Sequence, residues 1–285
     1  MHDPLRHPAI PTLPDVERAA TALGAGVPSG AVLVRGLAVG DPGPTPAAML
    51  AADTDTTSAT SLLRAAARLG SPVGYVQEHG GEVVQNIFPL AGSVGQQIST
   101  SSDVTLAFHT ETAFHPHKSH YLLLLCLRGD PAARTTLCSV DALVPNLDAD
   151  VVRTLRRPRF RTGVDLSFGR GDGWMTAPGP VLDRDVDGRW TLNYDGELTV
   201  GLDAGACAAL ATLGDAITAT YTSVVLDAGD LLVVDNRRAV HGRSEFRARF
   251  DGTDRWLQRT FVVDELASIS DRRGSVITTQ FPAAA

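Results

Sequence analysis

The chain has little cysteine. Cys126, Cys138 and Cys207 are the only three, and no two lie close together. That spacing excludes a disulfide framework and a zinc-finger pattern. Cys126 and Cys138 fall in apolar, strand-like runs and read as buried thiols. Long hydrophobic runs are missing too. The longest, Tyr121 to Leu127, is far too short to span a bilayer. The proline-rich start, MHDPLRHPAIPTLPD, lacks the apolar stretch of a signal peptide. Positive charge is in deficit, with 25 Lys and Arg against 32 Asp and Glu, a formal net charge of -7. A field of that sign repels nucleic acid and acidic membrane surfaces, so neither is expected as a partner. A cytoplasmic location is expected. There is no internal repeat, low-complexity tract or Pro/Gly linker.

What is present is enough apolar material for one substantial core: 44% of 285 residues. The chain reads as a single domain over 1–285, with residues 1–72 packing helices and a strand onto a core at 73–263. Asp15 can cap a helix over 15–25, and SGAVLVRGL at 29–37 reads as a strand. The Ala-rich stretch 45–70 suggests two short helices, and 73–105 reads as loop and short strand. From Thr105 onward short β-type runs recur. They are Thr105–Phe108, Tyr121–Leu127, Arg134–Val140, Phe160–Leu166, Arg189–Asn193, Ser223–Leu226, Leu231–Asp235 and Leu257–Val263. Turns at GDP, GRGDG and DAGD separate them, and helices interrupt near 147–156 and 204–222. Many short strands in one unit predict a mainly β fold with flanking helices, a jelly roll or barrel.

The chemistry begins at Phe108-His109-Thr110-Glu111-Thr112. Residues two apart in a strand point the same way, so His109 and Glu111 would offer an imidazole and a carboxylate to one space. A mixed N/O pair suits a first-row divalent metal. A third ligand must come from elsewhere. In DAGDLLVVDNRRAVHGR a Gly-Asp turn leads into an apolar strand, then a polar break, then His241. That order predicts His241 just after a buried strand that aims it inward, with Asp235 and Asn236 shaping the turn. Two histidines and one carboxylate make the facial triad of non-haem iron oxygenases, and also suit zinc hydrolases. His115, His117 and His120 crowd the first pair and read as supporting or exposed groups. Arg255 follows His241 by fourteen residues and precedes the apolar strand at Leu257. A guanidinium there could clamp a small carboxylate bidentately, the alternative being an ion pair with Asp254.

The motifs LAFHTETAFHP, GDLLVVDNRRAVHGR and DGTDRWLQR, in this order, resemble those of the clavaminate synthase-like 2-oxoglutarate oxygenases. That family includes amino-acid β-hydroxylases of antibiotic pathways, such as the arginine hydroxylase of viomycin assembly. The resemblance covers residues 73 to 263 and implies a double-stranded β-helix (jelly-roll) fold. It implies that His109, Glu111 and His241 bind iron(II) and that Arg255 holds the distal carboxylate of 2-oxoglutarate. A threonine beside that carboxylate would be Thr135 or Thr136, with Thr135 preferred. On the substrate side it points to Gln77 and Glu78 for an α-amino group. Asp195 and Glu197, in a lid near 165–200, would grip a cationic side chain, and Arg259 would be a second site residue. The family pattern has Asp where Glu197 stands, which leaves the exact substrate open. The implied activity is dioxygen-dependent hydroxylation of Cβ of a free L-α-amino acid with a basic or polar side chain, in antibiotic-type metabolism. Glu111 argues against halogenation, because halogenating relatives need that coordination position for halide. The alternatives are desaturation or ring closure at the same iron, a carrier-tethered amino acid, or a metal-binding jelly roll without catalysis.

Overall fold

The computed structural model describes residues 7–50, 52–53, 55–169 and 173–281. Strand β1 (Thr12–Leu13) leads into helix α1 (Val16–Gly24), strand β2 (Ala31–Val34) and helix α2 (Thr57–Ala66). Strands β3 (Ser71–Tyr75), β4 (Gln85–Ile87), β5 (Leu106–His109), β6 (Tyr121–Arg128) and β7 (Arg134–Ser139) follow. Short helices α3 (Val140–Leu143) and α4 (Ala149–Leu155) come next. Strands β8 (Phe160–Thr162), β9 (Leu182–Arg184), β10 (Trp190–Leu192) and β11 (Thr199–Gly201) precede the long helix α5 (Ala204–Thr220). The chain then runs through β12 (Thr222–Val225), β13 (Leu231–Asp235), β14 (Ala239–Arg243) and β15 (Trp256–Val263) to β16 (Arg272–Arg273) and β17 (Val276–Ile277). The protein is mostly β, with few helices.

Two sheets organise it. The larger runs β1-β2-β13-β6-β15-β3-β17-β16, with β4 also paired to β15. The smaller runs β12-β7-β14-β5. Side-chain alternation explains why the central strand β6 is apolar throughout Leu122 to Leu127. Leu122, Leu124 and Cys126 face a core shared with Leu137 of the smaller sheet and Phe261. Tyr121, Leu123, Leu125 and Leu127 face the opposite way, onto Ala19 and Leu23 of α1 and Ala59, Leu62 and Ala66 of α2. Burial on both faces removes the polar half of the strand pattern. The smaller sheet is backed by α4 and α5, where Cys138 and Val240 meet Leu155, Leu213 and Ile217. Burial pushes the thiols of Cys126 and Cys138 up to about 12, which keeps them protonated.

Several boundaries differ from the expectation. Only one helix forms within 45–70 among the described residues. Pro44 and Pro46 lack donors, and Asp41 and Asp53 use their carboxylates to hold turns at Gly43 and Asp55. The helix starts only where the Thr56 side chain accepts from Ala59 N–H. The run expected over Phe160–Leu166 is a strand only to Thr162, because the Asp165 carboxylate accepts from Ser167 N–H and nucleates a one-turn helix over Leu166–Phe168. The GRGDG turn involves residues 170–172, outside the described residues. Among the described residues, no helix is long and apolar enough to cross a membrane.

Candidate metal and cosubstrate site

Strands β5 and β14 lie side by side with His109 opposite His241. Their imidazole centroids are 4.3 Å apart. Glu111 Oε2 lies 3.8 Å from His109 Nε2 and 3.2 Å from His241 Nε2. One ligand atom from each of the three falls within 4.8 Å of the others. Two sequence expectations need correction. His241 stands inside its own strand rather than just after one, and β5 ends at His109, so Glu111 lies in the turn beyond it. The strand β14 (AVHGR) was hidden by its glycine, which is there for close approach. A Cβ on Gly242 would sit 2.5 Å from Leu106 O.

The cluster couples two imidazoles to one carboxylate through charge and hydrogen bonds. Burial alone would depress the His109 imidazole, but the hydrogen bond and charge of Glu111 draw it up to about 9. Burial, helped by the His109 charge, pushes His241 down to about 4. Burial opposes ionisation of Glu111, yet the Arg259 charge and the two histidines hold its carboxyl well below the usual range. His109 Nδ1 bonds Ala107 O at 2.8 Å, which turns Nε2 toward Glu111. Among the described residues, His241 Nδ1 is buried without a partner. Two inward Nε2 atoms and an ionised carboxylate on one side of a cavity fit an octahedral first-row divalent ion with its remaining positions open.

That cavity is about 600 Å³ and reaches from the triad to Arg255. Arg255 is buried, and its guanidinium donates to Thr135 Oγ1 at 3.1 Å. Among the described residues it has no carboxylate within 4 Å. Asp254 instead accepts from the backbone of Arg249 and Phe250. Burial, with little to offset it, lowers even this arginine to about 10. A buried cation that faces a cavity without a counter-ion is a receptor for an anion. Thr135 is the threonine that meets Arg255; Thr136 packs against Gly242.

The remaining predicted residues separate into two groups. Glu78, Asp195, Glu197 and Arg259 line the cavity. Arg259, buried on β15, ion-pairs with Glu78 and reaches Glu111 Oε1 at 3.4 Å. Burial, which outweighs the Arg259 charge, raises the Glu78 carboxyl to about 7. Asp195 forms an isolated bridge with His109 and caps its own turn by accepting from Glu197 and Leu198 N–H. Glu197 is exposed at the cavity mouth. Gln77 is not among the lining residues; its amide donates to Thr279 O, toward the C-terminal segment. The two neighbours diverge because Thr279 O holds the Gln77 amide while Arg259 holds the Glu78 carboxyl.

The surplus histidines stay out of the triad. His115 is buried against Tyr75 and Phe281, His117 pairs with Asp271 at 2.8 Å, and His120 accepts from Asp264 N–H. Sequence reasoning missed Arg243, which lines the cavity and ties Ser102 and Val104 carbonyls to β14. It missed Gln85, which accepts from Arg259 Nε at 2.7 Å. It also missed the segment 95–99 as a cavity wall, and within the lid expected near 165–200 it did not single out Phe168. The HGR motif was a signal for Arg243; the loop walls carried none.

Residues 28–261 match the model of the family described as taurine catabolism dioxygenase TauD, TfdA family. The chain is 40% identical over 247 residues to the L-asparagine oxygenase of Streptomyces coelicolor (strain ATCC BAA-471 / A3(2) / M145), covering 84% of this chain and 72% of that one. It superposes with a TM-score of 0.87 on asparagine oxygenase in complex with Fe(II), 2S,3S-3-hydroxyasparagine and succinate, at 36% identity, covering 93% and 85% of the two chains. It superposes with a TM-score of 0.82 on the non-heme iron oxygenase OrfP in complex with Fe and alpha-ketoglutaric acid, at 30% identity, covering 94% and 87%. With an open His-Glu-His cluster at its centre, the chain belongs to the TauD/TfdA dioxygenase family.

Proposed function

We propose that this iron(II)- and 2-oxoglutarate-dependent dioxygenase hydroxylates Cβ of a free L-α-amino acid with a polar or basic side chain. The observation that carries the reading is the pairing, across one buried cavity, of the His109-Glu111-His241 cluster with an uncompensated Arg255. His109, Glu111 and His241 hold the metal, and Arg255 with Thr135 holds the distal carboxylate of 2-oxoglutarate. Bound iron with 2-oxoglutarate and dioxygen supplies the oxidant that replaces C–H by C–OH, with succinate and carbon dioxide as co-products. The two sheets around the site read as a double-stranded β-helix in a single catalytic domain.

The chain's own residues orient the substrate. Glu78 offers a carboxylate to an ammonium, and the Arg259 guanidinium beside it suits a carboxylate. Asp195 lies opposite His109, so a side chain held there lies close to the metal. Glu197 at the mouth adds a second negative charge, which favours a cationic or polar substrate. Phe168 and the 95–99 segment wall the cavity and exclude water. The likeness to asparagine oxygenase bound to 2S,3S-3-hydroxyasparagine supports an amino-acid substrate.

A screen of proteinogenic amino acids, read by succinate release and product mass, tests this. A product heavier by one oxygen atom with a polar or basic amino acid is the expected result. A product lighter by two hydrogens would assign desaturation or ring closure. Succinate release coupled to no amino acid would contradict the substrate class.

A further inference from the structure

Glu111 differs from His109 and His241 in what holds its backbone. His109 and His241 are held in neighbouring strands, each with ladder partners. Glu111 lies past the end of β5, and the next residue, Thr112, takes a left-handed φ of 52° without being glycine. Its own sheet therefore does not fix its backbone.

We infer that Asn236 is a positioning residue that holds Glu111 in metal-binding geometry through its backbone. The inference rests on the metal reading proposed above. Asn236 is 1% exposed. Its Oδ1 accepts from Glu111 N–H at 2.7 Å, and its Nδ2 donates to Glu111 O at 3.0 Å. The side-chain amide thus replaces the strand partner that β5 no longer has. The same Nδ2 donates to Ser119 O at 2.9 Å, and the Asn236 backbone N–H donates to His120 O at 2.9 Å. These bonds anchor the clamp to the start of β6.

Its place in the chain gives the clamp a second consequence. Asn236 follows the last residue of β13, in the larger sheet, and opens the turn that carries the chain to β14 and His241 in the smaller one. The crossing turn that delivers one ligand therefore grips another. An asparagine side chain of this length supplies an acceptor to the N–H and a donor to the C=O of one residue. An aspartate at 236 could accept from Glu111 N–H. It would then face the carbonyls of Glu111 and Ser119 with a second acceptor.

The test uses cobalt(II), which binds such sites without consuming dioxygen-dependent activity. Cobalt affinity and the d–d absorption spectrum are measured for the unmodified chain, Asn236→Asp, Asn236→Ser and Glu111→Ala. A matched control, Ser139→Ala, removes buried side-chain hydrogen bonds to Pro28 O and from Ala142 N–H that involve neither Glu111 nor Asn236. The expected result is affinity weakened by about 10- to 100-fold in both Asn236 variants, with an altered d–d spectrum and a native circular dichroism spectrum. Ser139→Ala should lower the unfolding temperature and leave affinity and spectrum unchanged. Two variants are used so that a folding failure of one leaves the other as the test. Affinity and spectrum unchanged in a folded Asn236 variant would overturn the inference alone. If the unmodified chain bound cobalt no better than Glu111→Ala, the metal reading would fall and the inference with it.

Discussion

Arg255 and Arg259, four residues apart, show how neighbours decide what a guanidinium does. Both are buried, Arg259 on β15 and Arg255 just before it. Arg259 is neutralised by Glu78 and Glu111, whereas Arg255 has a threonine hydroxyl as its polar contact. Removing the two should therefore fail differently. Arg255→Ala deletes a charge-assisted hydrogen-bond pair to 2-oxoglutarate and should weaken its binding by about 10- to 100-fold. Iron affinity should stay near the unmodified value, and anaerobic titration of the visible absorption separates the two. Arg259→Ala leaves the buried Glu78 carboxyl without its counter-charge and Glu111 with the histidines alone. It should cost the metal-free protein about 3–5 kcal/mol in urea unfolding, with part of that loss recovered when a divalent metal neutralises Glu111. Equal losses with and without metal would contradict the ion-pair account.

At the scale of elements, β14 carries the site because two strands approach it closely. Gly242→Ala would push a methyl group against Leu106 O at 2.5 Å and Thr136 Oγ1 at 3.0 Å. That change should cost about 1–3 kcal/mol and separate His241 from His109, read as a parallel fall in unfolding free energy and metal affinity. The C-terminal segment makes a different element-level contribution. Phe281 and Tyr75 enclose His115, and burial pushes its imidazole down to about 3. Its ordinary value is 6.5, so between these limits the unfolded chain binds a proton that the folded one excludes. Stability therefore rises with pH through that window and falls as pH drops below 6.5, by up to about 1.4 kcal/mol per unit. His115→Phe should flatten that acid slope in urea titrations from pH 6.5 to 4; an unchanged slope would contradict the assignment.

At the scale of the whole molecule, the parts legible in the sequence were those with local signals. The triad and Arg255 were visible because residue type, order and flanking apolar runs agreed. The central strands β6 and β13 were visible as unbroken aliphatic stretches. The strand status of His241 was not, since Gly242 and Arg243 break the β pattern for reasons that lie in a neighbouring strand and loop. The direction of Gln77 was set by a C-terminal carbonyl two hundred residues away, and the Asn236 clamp by a turn more than a hundred residues earlier. Contacts of that range leave no spacing for a sequence reader to find. Metal should act on the whole fold, because its ligands come from separate segments of the chain. At a hundredfold excess over its dissociation constant it should add about 2.7 kcal/mol of stability, lost on chelation and seen as a lower unfolding temperature.

The central claim is that one cavity holds iron(II) through His109, Glu111 and His241 and 2-oxoglutarate through Arg255. Anaerobic addition of iron(II) and 2-oxoglutarate tests it most directly. The account requires a visible charge-transfer band in the unmodified chain. The band should be absent in Glu111→Ala and should need more 2-oxoglutarate in Arg255→Ala. No band in the unmodified chain, with no succinate on admitting oxygen and amino acids, would contradict it.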